Sequence, residues 1–271
     1  KRQLLTHTSG LGYACTEKVG PIYMENGVVA GLCSSEVTLE EMMRTLGGLP
    51  LLFDPGEQFQ YGFSVDVLGR VVEVVSNLPL DRFIQERICC PLGMSDTYFH
   101  VPPDKQSRVV SLYVPTERSV RKLPEGERLD YAKTPVSSDY HHDSNKCLSG
   151  GGGLCSTAAD YMRFCQMLLN GGELDDVCLL RQETVEMMTV NQIGKLADGF
   201  GLGFGVMPDS QDIHEQLRDS YSWGGFWSLS FRISPRGDWI VITMSQVAWK
   251  DDGIPVWRAK YEEIAAESII D

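Results

Sequence analysis

Tyr61 ends the turn-forming run Asp54-Pro55-Gly56-Glu57-Gln58-Phe59-Gln60 and stands just ahead of Ser64. Pro55 fixes φ and Gly56 tolerates the tight conformations that follow, so Tyr61 is expected on a short loop. A rigid scaffold can hold a phenol there for chemistry, although a packed tyrosine with its hydroxyl bonded is the alternative reading of the same residue. His141-His142-Asp143 has the donor types for a metal, but its neighbours are polar and aperiodic, so the expectation is a solvated loop and no metal. Gly150 to Gly153 form a four-glycine run after Ser149 that permits close backbone approach and unusual φ. The run lacks the Gly-Lys-Ser/Thr ending of a phosphate loop, and no cofactor is expected.

The elements that must position these residues come from periodicity and punctuation. Thr38-Leu39-Glu40-Glu41 is a capping box that opens a short helix through Met42 to Leu46, stopped by Gly47-Gly48 and Pro50. Ser64 reads as the N-cap of a buried helix from Val65 to about Ser76, with Val65, Leu68, Val71, Val72 and Val75 as its apolar face. Another helix covers Asp81 to Ile88. Residues 102–144 turn polar and aperiodic, an irregular crossover with one or two short strands of the kind that often walls a binding site. A helix capped at Ser156-Thr157 carries Tyr161, Phe164, Met167 and Leu168 on one face, and one from Gln182 to Met188 follows. The period then switches. Phe200–Val206, Ser220–Trp223, Phe226–Ile233 and Asp238–Ser245 read as strands, with Pro235-Arg236-Gly237 as a hairpin turn, before a terminal helix over about Pro255 to Ile269. That final helix presents Trp257, Tyr261, Ile264 and Ala265 at helical spacing. The expected class is α+β, with residues 1–199 mostly helical and 200–271 an antiparallel sheet with the terminal helix packed on it.

Composition narrows the partners. The 271 residues are 42% hydrophobic, enough for a large core, and carry a net charge of −13. That charge disfavours nucleic acid and anionic membrane surfaces, which need clustered Lys and Arg. No apolar run reaches the roughly 18 residues that a membrane span requires. The eight cysteines show no paired Cys-x-x-Cys spacing, and Cys89 and Cys90 are adjacent, so buried or half-buried free thiols are expected. Together with the lack of a signal-peptide pattern, they point to a reducing, cytoplasmic compartment.

Five stretches, in order along nearly the whole chain, carry a resemblance: Leu5-Thr6-His7-Thr8-Ser9-Gly10-Leu11; Pro55-Gly56-Glu57 leading to Tyr61; Pro91-Leu92-Gly93-Met94-Ser95-Asp96-Thr97; Gly151 to Asp160; and Trp223-Gly224-Gly225. With them the chain resembles the serine β-lactamase and penicillin-binding-protein-like superfamily, most of all its esterase-type branch near class C β-lactamases. The resemblance implies a β-lactamase/transpeptidase-like fold and acyl transfer by a serine on a Ser-x-x-Lys motif. It places Tyr61 at the tyrosine that takes the nucleophile's proton, and Trp223, Gly224 and Gly225 at the strand that helps hold substrate and oxyanion. Those groups would have to converge on one reacting atom.

The sequence departs from the family pattern in three places. Tyr61-Gly62-Phe63 lacks the amide usual two positions after the tyrosine. Trp223 replaces the usual strand lysine, which tilts the expected substrate from carboxylate-bearing β-lactams toward small neutral esters or amides. The nucleophile motif, expected upstream of His7, is absent, so the chain reads as a family member lacking its N-terminal segment, either processed or starting inside a longer protein at Lys1. The one Ser-x-x-Lys match, Ser119-Val120-Arg121-Lys122, follows the tyrosine motif, lies in the polar crossover, and has no apolar helix to bury its lysine. It reads as a solvated loop. A serine hydrolase inactive without its upstream part is therefore expected; the alternatives are a non-catalytic binding protein of the same fold and a true β-lactamase or DD-peptidase.

Overall fold

A computed structural model of the chain describes residues 1–131, 133–211, 213–248 and 256–268, with side chains of the last segment from 260 on. It divides into two compact units, Lys1–Ser111 with Leu123–Thr157, and Leu112–Lys122 with Ala158–Asp271. No described helix is long and apolar enough to cross a membrane.

The first unit holds helices α1 (Arg2–Leu5), α2 (Gly20–Glu25), α3 (Leu39–Leu46), α4 (Ser64–Ser76) and α5 (Leu80–Ile84). Helix α3 starts where the capping box places it. The Glu41 N–H donates to Thr38 Oγ1 at 3.2 Å and the Thr38 N–H donates to Glu41 Oε2 at 3.0 Å, an arrangement worth about 1 kcal/mol. Helix α5 runs on into a wider π-type turn, Gln85–Cys89, before Pro91. The core forms around the fully buried Tyr23, Val28 and Phe63, with Leu39, Met42 and Leu80 against them. The Tyr23 hydroxyl donates to the Pro50 carbonyl at 2.9 Å.

Helix α4 corrects two expectations. Its N-cap is Phe63, without a side-chain cap bond, and Ser64 is instead its buried first residue. Its fully buried positions are Ser64, Asp66 and Gly69, not the valines; Val75 is 77% exposed and Val74 64%. The reason is steric. The backbone at Gly150 lies so near that a Cβ there would sit 2.5 Å from the Val65 carbonyl oxygen, and one on Gly69 would meet Leu80 at 2.9 Å. Only small or short residues fit that side. The displaced valines line an open apolar groove of about 600 Å³ with Met43, Leu46 and Leu51.

The crossover is more ordered than expected. It holds a 3₁₀ turn (Pro103–Arg108) and two antiparallel hairpins, β1 (Tyr113–Pro115) with β2 (Val120–Lys122) and β3 (Arg128–Tyr131) with β4 (Thr134–Ser137). His141 is buried rather than solvated: its Nε2 lies 3.0 Å from Gln106 Oε1, and its carbonyl accepts from the Val101 N–H.

The second unit contains α6 (Ala158–Leu169), a two-residue pair β5 (Glu173–Leu174) and β6 (Val177–Cys178), α7 (Gln182–Met188), and a four-stranded antiparallel sheet. The sheet strands are β7 (Gly205–Val206), β8 (Tyr221–Gly225), β9 (Leu229–Ser234) and β10 (Trp239–Thr243), in the order β10-β9-β8-β7. The hairpin at Pro235–Gly237 sets Trp239 opposite Ser234 as its turn residues predict. Three strands are shorter than expected, β10 covering only Trp239–Thr243 of the expected Asp238–Ser245. Ser228, at φ +59, turns back through its N–H to the Gly225 carbonyl, so β9 begins only at Leu229. Gly203, at φ +98, breaks the run from Phe200, leaving β7 two residues. Helix α6 packs on β9 and β10, with the Tyr161 and Phe231 rings 5.4 Å apart. The terminal helix α8 (Val256–Glu267) is joined to β9 by a buried ion pair, Arg232 Nη2 to Glu262 Oε2 at 2.7 Å, while Arg232 Nη1 donates to Ser220 Oγ at 2.8 Å. Pro255 and Ile269, the expected ends of α8, lie outside the described residues, as does the Trp257 side chain.

Candidate active site

Tyr61 is positioned by a ribbon of backbone hydrogen bonds. The Gly56 N–H donates to the Thr8 carbonyl at 2.7 Å, the Gln60 N–H to His7 at 2.8 Å, and the Leu52 N–H to Gly10 at 2.9 Å. The loop is thereby stitched along residues 7–10, whose polar side chains Thr8 and Ser9 are buried beside it. Ser9 Oγ lies 2.8 Å from Ser64 Oγ, which fastens the start of α4 to the same segment. The phenol ring of Tyr61 is half-buried, 4.5 Å from the His7 ring and 5.3 Å edge-on from Tyr13.

The neighbours of Tyr61 are tuned by burial. His7 is 2% exposed, and burial lowers its pKa to about 4, so the ring is neutral at pH 7. Its Nδ1 accepts the Gly62 N–H at 3.4 Å, which leaves the proton on Nε2. The Tyr13 phenol, edge-on to Tyr61, has its pKa raised well above the usual range by burial first, then by the charge of Asp66 and by the neighbouring Tyr61. Asp66 is fully buried on α4, and burial pushes its carboxyl up to about 6, against the pull of the Ser149 hydroxyl and the Gly151 N–H. The Ser149 hydroxyl donates to Asp66 Oδ1, while Oδ2 has no hydrogen-bond partner. The glycine run thus performs the close approach that its composition allows, but none of Gly150 to Gly153 adopts a positive φ.

Trp223, Gly224 and Gly225 lie on β8 in the second unit. They pair with Phe231, Ser230 and Leu229 of β9, and Trp223 packs edge-on to Phe200 at 5.2 Å. Pairing with β7 ends at Gly205 opposite Ser222, so these three residues extend past the end of β7. All eight cysteines are free, and Cys15, Cys90 and Cys178 are exposed rather than buried. Among the described residues no cluster of three or more His, Cys, Asp or Glu could hold a metal.

Tyr13, Asp66 and Ser149 are the site neighbours that sequence reasoning missed. One signal was there to read: Asp66 is the only carboxylate between Val65 and Val72, in a helical run that is otherwise apolar apart from Arg70.

A family model described as Beta-lactamase matches residues 2–261. An uncharacterised protein of Mycobacterium tuberculosis is 32% identical over 260 residues, 90% of this chain and 61% of its own length. Esterase EstB of Burkholderia gladioli is 28% identical over 97% of this chain and 68% of its own length. The solved structure of EstCE1, a hydrolase with promiscuous acyltransferase activity, superposes with a TM-score of 0.81 at 28% identity, covering 92% of this chain and 67% of that one. The chain therefore spans about three fifths of the length of the mycobacterial relative it matches.

Proposed function

This chain belongs to the beta-lactamase family, and from that premise we propose that it is the body of a serine hydrolase that transfers acyl groups from small neutral esters. Tyr61 is the general base in this reading: it takes the proton of the attacking serine hydroxyl and returns it to the leaving alcohol. The observation that supports this best is its phenol, held half-buried on a loop stitched to residues 7–10, between neutral His7 and the edge of Tyr13. Trp223, Gly224 and Gly225 form the substrate strand, where a backbone N–H faces the oxyanion and small residues leave room for the acyl chain. An indole at 223 supplies no cation for a substrate carboxylate, which favours esters over β-lactams. Esterase EstB and the hydrolase EstCE1 support the same class.

No residue between Lys1 and Asp271 is assigned as the nucleophile. The test compares residues 1–271 with the product of the natural gene, using a nitrophenyl acyl ester and a serine-directed fluorophosphonate. The gene product is expected to hydrolyse the ester and take the label, residues 1–271 to do neither, and Tyr61→Phe in the gene product to cut the rate about 10²–10⁴-fold. Specific labelling of a serine within 1–271 would overturn the assignment.

A further inference from the structure

Helix α1 ends on a residue that its geometry does not favour. Thr6 caps it, the Thr8 N–H then donates to the Gln3 carbonyl at 2.9 Å, and the His7 N–H donates to the Leu4 carbonyl at 3.4 Å. These two bonds make a Schellman motif, in which the residue after the cap is left-handed and usually glycine. Here that residue is His7, at φ +51. A side chain is disfavoured in that conformation, so glycine would end the helix with less strain. A strained residue that persists in a fold points to a task for its side chain.

The task is visible in the Tyr61 loop, where four successive residues meet His7. The Gln60 N–H donates to the His7 carbonyl at 2.8 Å, and the Gly62 N–H donates to its Nδ1 at 3.4 Å. The Phe59 and Tyr61 rings lie 6.2 Å and 4.5 Å from the imidazole, centroid to centroid. One residue thus holds the amides on both sides of Tyr61 while its ring lies against the phenol. The clamp is itself fixed. The Thr6 hydroxyl donates to the Arg2 carbonyl at 3.0 Å, the Thr6 and Thr8 hydroxyls are 2.9 Å apart, and the Thr8 carbonyl accepts the Gly56 N–H at 2.7 Å. His7 is 2% exposed and Tyr61 half-buried, which places the imidazole behind the phenol.

Resting on the reading of Tyr61 as the base, we propose that His7 is a positioning residue: it clamps Gln60 and Gly62 and backs the Tyr61 ring, so that the phenol oxygen stays where the attacking serine delivers its proton. His7 takes no proton itself. The serine proton moves to Tyr61 and on to the leaving alcohol, and the imidazole, kept neutral by burial that lowers its pKa to about 4, remains an acceptor for the Gly62 N–H. Displacement of a catalytic group by about an ångström is enough to cost up to about 10²-fold in rate.

The test measures kcat and KM for a nitrophenyl acyl ester in the natural gene product, with variants at residue 7 made alone and together with Tyr61→Phe. His7→Gly suits the backbone and removes both acceptor and ring; it should lower kcat about 10–100-fold with KM within about twofold. His7→Asn tolerates a left-handed backbone and carries an amide oxygen near the place of Nδ1, so it should restore kcat to within about fivefold of wild type. Because His7 acts through Tyr61, His7→Gly should lower kcat no more than about twofold further in the Tyr61→Phe background. An unchanged kcat in His7→Gly, a His7→Asn no better than His7→Gly, or equal losses with and without Tyr61→Phe overturns the proposal. If His7→Gly does not fold, His7→Ser, whose oxygen ends one bond short of Nδ1, replaces it under the same expectations. Full activity in Tyr61→Phe would overturn the reading of Tyr61 as base and this proposal with it, whereas additive losses overturn the proposal alone.

Discussion

Ser119 and Lys122 sit on the β1–β2 hairpin, both exposed, with Ser119 Oγ 3.0 Å from Thr116 Oγ1. The lysine stands on a solvent-facing strand, with no apolar helix to bury it against a serine nucleophile. Ser119→Ala in the natural gene product should accordingly leave ester hydrolysis within about twofold, since it removes no transition-state interaction. A loss of two orders of magnitude would make it the nucleophile after all. The sequence exposed this pair correctly because local polarity alone decides it. It exposed Tyr61 because turn chemistry is local too. It could not expose the contact of Ser149 with Asp66, 83 positions apart, since no periodicity connects a loop serine to a helix carboxylate that far away.

At the scale of elements, α4 is the instructive case. Its length and type were legible from the 3.6-residue pattern, and its buried side was not, because the apolar stripe is one of two faces that a neighbour can cover. The neighbour is a glycine backbone, and it takes the side with Asp66 and Gly69. Strand ends at Ser228 and Gly203 were likewise decided by positive φ that composition does not encode. The anchor of α4 is Phe63, fully buried at its N-cap and edge-on to Tyr13 at 4.8 Å and Tyr23 at 6.1 Å. Phe63→Ala should destabilise the protein by about 3–5 kcal/mol in urea unfolding, the usual cost of an emptied aromatic site. A change below 1 kcal/mol would show that α4 is held elsewhere.

For the molecule as a whole, two buried groups make opposing contributions to stability in acid. His7, held near 4 from an unfolded value of 6.5, stabilises the native state above pH 6.5 relative to acid, and that stability is lost as pH falls toward 4. Asp66, raised from 3.8 to about 6, does the reverse: the native state binds its proton more tightly than the unfolded chain, so stability is lost as pH rises from 4 to 6. Each effect is about 3 kcal/mol at full extent, and they largely cancel. Asp66→Asn removes one of the two. The variant should gain on the wild type by about 3 kcal/mol between pH 4 and pH 7, measured as the difference of their unfolding free energies at the two pH values. A difference that does not change with pH would mean that the Asp66 carboxyl is not held in a raised state.

The glycine-lined seam beside α4 also limits how this chain can drift over generations. A Cβ would meet Ser149 Cβ at 2.1 Å from Gly31, the Leu11 carbonyl at 2.4 Å from Gly62, and the Val65 carbonyl at 2.5 Å from Gly150. Alanine, one base change away from every glycine codon, already collides at each. Codons 31, 62 and 150 are thus closed to substitution by geometry before selection for activity acts on them. The exposed Val74 and Val75 across the same helix meet no such wall and are free to vary in size, so inheritance along α4 is asymmetric: one face is frozen by the backbone it touches, and the other is open to change.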